Sequence, residues 1–224
     1  MDFYVITLFP EALGSYISSS IIGRAQKSGR IRIHIINPRD FVRDAHKIAD
    51  LSRRGRAEVD DKPFGGGPGM VLQALPILKA VESAQKRIRG RSTIIIFSPS
   101  GAQFAQKTAR NLAKHYDALI LICGRYEGID ARVRKILKAK EVSIGPYVLT
   151  GGELAALAVL DVTARHVAGV LGKSESLEEH HGSHPVYTRP EILEWKSKKY
   201  RVPKILMSGD HAAIAAWRKR KGSL

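Results

Sequence analysis

Two short segments of this chain are apolar without alternation: STIIIF at 92–97 and LILI at 119–122. A strand with one face in water alternates apolar and polar residues. An unbroken run of this length therefore reads as a strand covered on both faces. Such strands belong to a parallel sheet with helices packed on either side. FYVITLF at 3–9, ended by Pro10, and IRIHII at 31–36, ended by Asn37-Pro38, add two further strands. Between these two, residues 11–27 carry apolar side chains at helical spacing and stop before Gly29. Residues 103–115, the segment after GRYEG and residues 152–163 read as further helices. Alternating β and α segments predict an α/β fold with a mostly parallel sheet.

Three apolar runs end on glycine close together in sequence. Residues 119–122 stop at Cys123-Gly124, residues 142–144 at Gly145-Pro146, and residues 147–149 at Thr150-Gly151-Gly152. Read as three strand ends, they offer bare peptide groups to a bound molecule. The carboxyl ends of strands are where α/β sheets hold ligands.

A second glycine-rich stretch, DDKPFGGGPGM at 60–70, leads into a segment that reads as a helix over 70–87. It lacks the spacing of a nucleotide triphosphate loop, and Met70 stands where a dinucleotide fingerprint needs glycine, so both readings are rejected. Residues 39–62 are highly charged and read as a loop, mobile around 52–56.

The net charge of +16 and pI near 10.1 are typical of a protein that meets a phosphate backbone. The charge is concentrated: residues 195–224 hold nine Lys or Arg and one acid, Asp210. No apolar run approaches the ~20 residues needed to span a bilayer. The start has no basic leader, and the single cysteine, Cys123, cannot pair within the chain. A cytoplasmic location is expected. His180, His181 and His184 are clustered, but no second group of ligand residues supports them, and no metal site is predicted.

GGGPGM, CGRYEGID, SIGPYVLTGGELA, GVLG, YTRPE and SGDHAAIAAWR occur in this order along the chain. Together they resemble the bacterial tRNA (guanine-N1)-methyltransferase family of the SPOUT superfamily, over nearly the whole length. The resemblance implies a SPOUT-type fold with a deep trefoil knot over 1–172 and an interdomain linker over 173–186. It also implies a small, basic, helical tRNA-binding domain over 187–224, in which Ser208 reads as the cap of the last helix. It implies transfer of a methyl group from S-adenosylmethionine to N1 of the guanine just 3′ of the anticodon, by a homodimer. The cofactor cradle implied is Ser98, Pro99, Gly124, Glu127, Ile144, Gly145, Pro146, Tyr147, Val148 and Leu149, with Arg125 as a further site residue. Mg2+ is kept as a further candidate cofactor, with no ligand residue assigned to it.

Guanine N1 carries a proton, so the reaction needs a base and a group that stabilises charge developing on O6. The family's arginine, a few residues before GVLG, corresponds to Arg165. The family's linker aspartate has no counterpart, because residues 172–185 contain Glu175, Glu178 and Glu179 but no Asp. Its position falls at His180, beside Glu179. Glu179 is carried as the candidate base, and the choice between the two stays open. Ser100 stands where the family has glutamine; the linker and the tail are short for the family, and the loop before DDKPFGGGPGM is long.

Two other readings remain at this point. One is a SPOUT methyltransferase acting on another RNA or on a ribose hydroxyl, against which DDKPFGGGPGM argues. The other is a non-catalytic RNA-binding module that uses only its basic tail, and it would bind no S-adenosylmethionine.

Overall fold

A computed structural model describes residues 1–42, 59–171 and 184–221. The chain divides into two compact units, Met1–Leu171 and Gly172–Leu224.

The first unit is built on five strands: β1 (Asp2–Ile6), β2 (Arg32–Ile36), β5 (Ser92–Gln103), β6 (Ala118–Ile122) and β7 (Lys140–Ser143). They form one sheet in the order β2-β1-β6-β5-β7, and every pairing is parallel. The two runs that lack alternation, in β5 and β6, are neighbours in this sheet, and all five residues of β6 are buried. Side chains leave the sheet alternately. Tyr4, Ile6, Ile94, Ile96, Ile120 and Ile122 enter one core with helix α3 (Ala74–Gln85). Phe3, Val5, Ile95, Leu119 and Leu121 enter a second core. That core also takes residues from α1 (Glu11–Ser18), α2 (Ser20–Lys27), α4 (Gln106–His115) and α6 (Glu153–Ala164). A shorter helix, α5 (Ala131–Leu137), precedes β7. Two cores back to back on one sheet are the physical meaning of strands buried on both sides.

Several elements depart from the expectation. The single helix expected over 11–27 is two helices broken at Ser19, whose backbone is extended at φ −108 and ψ 165. The hydroxyls of Ser18 and Ser19 donate to the carbonyls of Gly14 and Ser15, at 2.8 and 2.6 Å. These serines compete for the carbonyls that would continue the helix. The segment read as helix from residue 70 begins as a strand, β4 (Val71–Leu72), paired antiparallel with β3 (Asp60–Asp61), and the helix starts only at Ala74. Strand β5 does not end at SPSG. Phe97 and Ala102 both register with Val142, so residues 98–101 bulge from a strand that then resumes. A Cβ on Gly101 would lie 2.5 Å from the Val142 nitrogen, so only glycine closes this bulge. Residues 147–149 are not a strand; the chain bends through 144–147 instead, with the Tyr147 hydroxyl reaching the carbonyl of Ile144 at 3.3 Å.

The second unit contains an antiparallel pair, β8 (Ile192–Trp195) with β9 (Lys198–Arg201), and a helix, α7 (His211–Lys221). The pair was not legible in a segment read as helical, because its two-residue turn, Lys196-Ser197, has neither Gly nor Asn. Asp210, not Ser208, caps α7: its carboxylate accepts from the Ala213 N–H at 3.0 Å, while Ser208 Oγ accepts from the Asp210 N–H at 3.1 Å. No helix among the described residues is long and apolar enough to cross a membrane.

Candidate active site

The carboxyl ends of β5, β6 and β7 open onto a cavity of about 310 Å³. Three loops wall it. The bulge of β5 contributes Ser98 and Pro99, and the turn after β6 contributes Gly124, Arg125 and Glu127. The loop after β7 contributes Ile144, Gly145, Tyr147, Val148 and Leu149. Of the cradle residues expected from sequence, these loops bring nine to one cavity. The tenth, Pro146, is exposed and does not line it.

The loop after β7 crosses directly over the turn after β6. The Gly152 N–H donates to the Gly124 carbonyl at 2.9 Å. A Cβ on Gly152 would stand 2.6 Å from Cys123 Cα, so the crossing requires glycine there. Gly151 is constrained by the Arg125 and Glu153 side chains, whose nearest atoms lie at 2.4 and 2.6 Å from its ideal Cβ. These two glycines therefore serve the packing of the protein on itself. Gly145 and Gly124 differ. The neighbour over Gly145 is the end of the half-exposed Tyr147 ring, and a Cβ on Gly124 would meet only Ile129, at 3.6 Å.

Behind the cavity lies a buried charge pair that the sequence reading did not identify. Glu153, in the first turn of α6, is 4% exposed. It accepts from Thr7 Oγ1 at 2.7 Å and pairs with the Arg125 guanidinium at 2.9 Å. A carboxylate at a helix N-terminus is also favoured by the helix dipole. Arg125 in turn donates to the Thr150 carbonyl at 3.2 Å and covers the Phe9 ring at 4.3 Å. A lone acid opening an otherwise apolar helix, GELAALAVL, was the available signal. Burial pushes the adjacent Cys123 thiol well above its usual range, and the Glu153 carboxylate adds to this. Cys123 is thus a neutral packing residue and not a nucleophile.

The GGGPGM segment is stitched to the same turn. The Glu127 N–H donates to the Met70 carbonyl, and the N–H groups of Leu72 and Asp130 bond to the carbonyls of Gly128 and Leu72, each at 3.0 Å. A Cβ on Gly69 would fall 2.5 Å from the Glu127 side chain. The two glycine-rich motifs, sixty residues apart in sequence, are one structural unit.

Arg165 is elsewhere. It caps the C-terminal end of α6, whereas Gly152 and Ala155 at the N-terminal end of that helix face the cavity. Ten to thirteen residue steps along the helix, at ~1.5 Å each, place Arg165 about 15–20 Å from these two. Helix α6 is buried on most of its circumference within its own unit, leaving a strip of Leu154, Ala158 and Val162 that leads to Arg165. Glu175, Glu178, Glu179, His180 and His181 lie outside the described residues. No group of three or more potential metal ligands occurs among the described residues.

A family model described as tRNA (Guanine-1)-methyltransferase TrmD matches residues 1–224. A protein of Thermomicrobium roseum named tRNA (guanine-N(1)-)-methyltransferase is 50% identical over 223 residues, covering 98% of this chain and 78% of its own. Relatives of the same name in Carboxydothermus hydrogenoformans and Dehalococcoides mccartyi strain CBDB1 are 44% and 43% identical. These alignments cover 100% and 99% of this chain, and 83% and 85% of the relatives.

Proposed function

The chain belongs to the tRNA (guanine-1)-methyltransferase family, enzymes that methylate guanine in tRNA at N1, and on that premise we propose that it acts on the guanine immediately 3′ of the anticodon, with S-adenosylmethionine as donor. The observation that carries the reading is the cavity at the strand ends, walled by the bulge of β5, the turn after β6 and the loop after β7, with GGGPGM bonded to its edge.

The cavity fits such a donor. Its apolar wall of Val142, Ile144 and Leu149 suits an adenine ring, and Gly124 leaves space where another residue would place a Cβ. Bound S-adenosylmethionine supplies an activated methyl group on sulfur. The chain's own residues do the rest. The three loops hold the donor and keep one face of the cavity open for the acceptor. Arg165 stabilises charge on guanine O6 as N1 loses its proton, and Glu179 or His180 accepts that proton.

The distance of Arg165 from the cavity of its own chain supports a homodimer in which each cavity receives Arg165 from a second copy. An apolar helix is weaker support, because most of α6 is already buried in its own core. The crossing of residues 150–152 over 123–125 supports the knotted path expected of the superfamily. The second unit, with its Lys and Arg, is the proposed tRNA-binding domain. Mg2+ is kept as a candidate cofactor of the proposed reaction, with no ligand assigned.

The test is primer extension on a tRNA transcript treated with purified protein and S-adenosylmethionine. N1 methylation blocks base pairing, so a stop is expected at the guanine 3′ of the anticodon. A treated transcript read through at the yield of the untreated one refutes the proposal, and a stop at another guanine refutes the position.

A further inference from the structure

The hairpin β8–β9 carries an aromatic face that the described residues of its own unit leave more than half exposed. Leu193 pairs with Tyr200, and Trp195 with Lys198. Directly paired residues and those two apart share a face, so Leu193, Trp195, Lys198 and Tyr200 all project to the same side. Leu193 is 55% exposed, Trp195 63% and Tyr200 53%. An isolated two-stranded hairpin is marginally stable at best in water. One that spends a Trp and a Tyr on solvent is built to be covered.

The turn gives a second observation. Lys196 and Ser197 both have positive φ, 47° and 60°. That is the geometry of a type I′ turn, which favours Asn-Gly. Here it instead carries a cation whose ammonium lies 5.9 Å from the Trp195 ring centroid. Lys196, Lys198, Lys199, Arg201 and Lys204 accompany two acids, Glu191 just before β8 and Glu194, which pairs with Lys199 on the opposite face.

We infer that this face is a stacking platform for unpaired RNA bases, with Trp195 and Tyr200 receiving bases and Lys196 and Lys198 meeting the adjoining phosphates. The inference rests on the tRNA reading above and adds to it which surface grips the RNA and by what chemistry. Charge selects the occupant. A second copy would bring like charge against like, whereas RNA supplies both flat apolar rings and the opposite sign.

The test uses the full chain, an unmodified tRNA transcript, oligo(U) and a short RNA duplex. Losing one base stack is worth about 5- to 150-fold in affinity. Trp195→Ala is therefore expected to weaken tRNA and oligo(U) binding about tenfold, leave duplex binding unchanged and keep the salt slope, and Trp195→Phe to restore most of the loss. Lys196→Asn with Ser197→Gly relieves the turn and is expected to reduce the salt slope by about one phosphate. The chain has two tryptophans. In Trp217→Phe, Trp195 fluorescence is expected to be quenched by oligo(U) and not by duplex.

Binding by Trp195→Ala within twofold of wild type, or no quenching of Trp195, overturns the platform. A fall in molecular mass of Trp195→Ala by light scattering, with RNA binding intact, assigns the face to self-association and overturns it equally. If the wild type fails to methylate tRNA but binds it in a Trp195-dependent way, the catalytic reading falls and the platform stands.

Discussion

The buried pair behind the cavity sets a measurable expectation. Arg125→Ala leaves the Glu153 carboxylate, 4% exposed, with Thr7 as its remaining hydrogen-bond donor. Breaking a buried ion pair from one side costs about 3–5 kcal/mol. The Arg125 side chain is 23% exposed, so water reaches the vacated place and the lower end applies, about 3 kcal/mol, including the lost contact with Phe9. Glu153→Gln keeps an acceptor for Thr7 and leaves a guanidinium that can turn to solvent, so about 1–1.5 kcal/mol is expected. The double variant has neither an orphaned charge nor a cation without its partner. It is expected to cost about 2 kcal/mol, less than the sum of the singles, which is a coupling of roughly 2 kcal/mol. The assay is urea unfolding followed by far-UV circular dichroism. Tryptophan fluorescence is the wrong probe here, because Trp195 and Trp217 both lie in the 172–224 unit. Arg125 also supports Thr150 and Gly151, so Arg125→Ala is expected to weaken S-adenosylmethionine binding in calorimetry. Additivity of the single variants within about 0.5 kcal/mol, or a cost for Arg125→Ala under about 1 kcal/mol, refutes the reasoning.

Three other outcomes follow from the site. Gly145→Val places methyl groups where the Tyr147 ring lies and is expected to abolish the calorimetric signal of S-adenosylmethionine with circular dichroism near wild type; unchanged binding removes Gly145 from the cradle. Cys123 is expected to resist iodoacetamide in the folded protein at pH 8 and to react in urea. Its folded thiol keeps the proton to higher pH than the unfolded one, so its contribution to stability is level below about pH 8.5 and declines as pH rises above it. Cys123→Ala is expected to flatten the stability profile between about pH 8.5 and 9.5, and an identical profile refutes the assignment. Finally, Arg165→Ala and Gly145→Val are each expected to be inactive, yet co-refolded together they restore about a quarter of the activity, since half the dimers are mixed and each holds one complete site. No recovery means that Arg165 does not act across a two-fold axis.

What could be read in the sequence depended on which physical signal each residue carries. Strands β5 and β6 were legible because full burial on both faces leaves an unbroken apolar run, and the cavity followed from glycines placed after strand ends. At Gly151 and Gly152 the structure gives a different reason from the one assigned: the protein crosses itself there. A sequence does not distinguish a glycine that admits a ligand from one that admits another strand of its own chain. Unlike the break at Ser19, which is local and set by serine hydroxyls that take the carbonyls of Gly14 and Ser15, the bulge at 98–101 was hidden for a related reason, since it is decided by a register with the distant Val142. Glu153 shows the same dependence in electrostatic form. Its position in an apolar helix is visible in the sequence, but its burial is tolerated only because Thr7 and Arg125, 146 and 28 residues away, reach it. The residues that shape this cavity are therefore held by long-range pairings, and loosening one wall, at Arg125, transmits to the loop after β7 through Thr150 and Gly151.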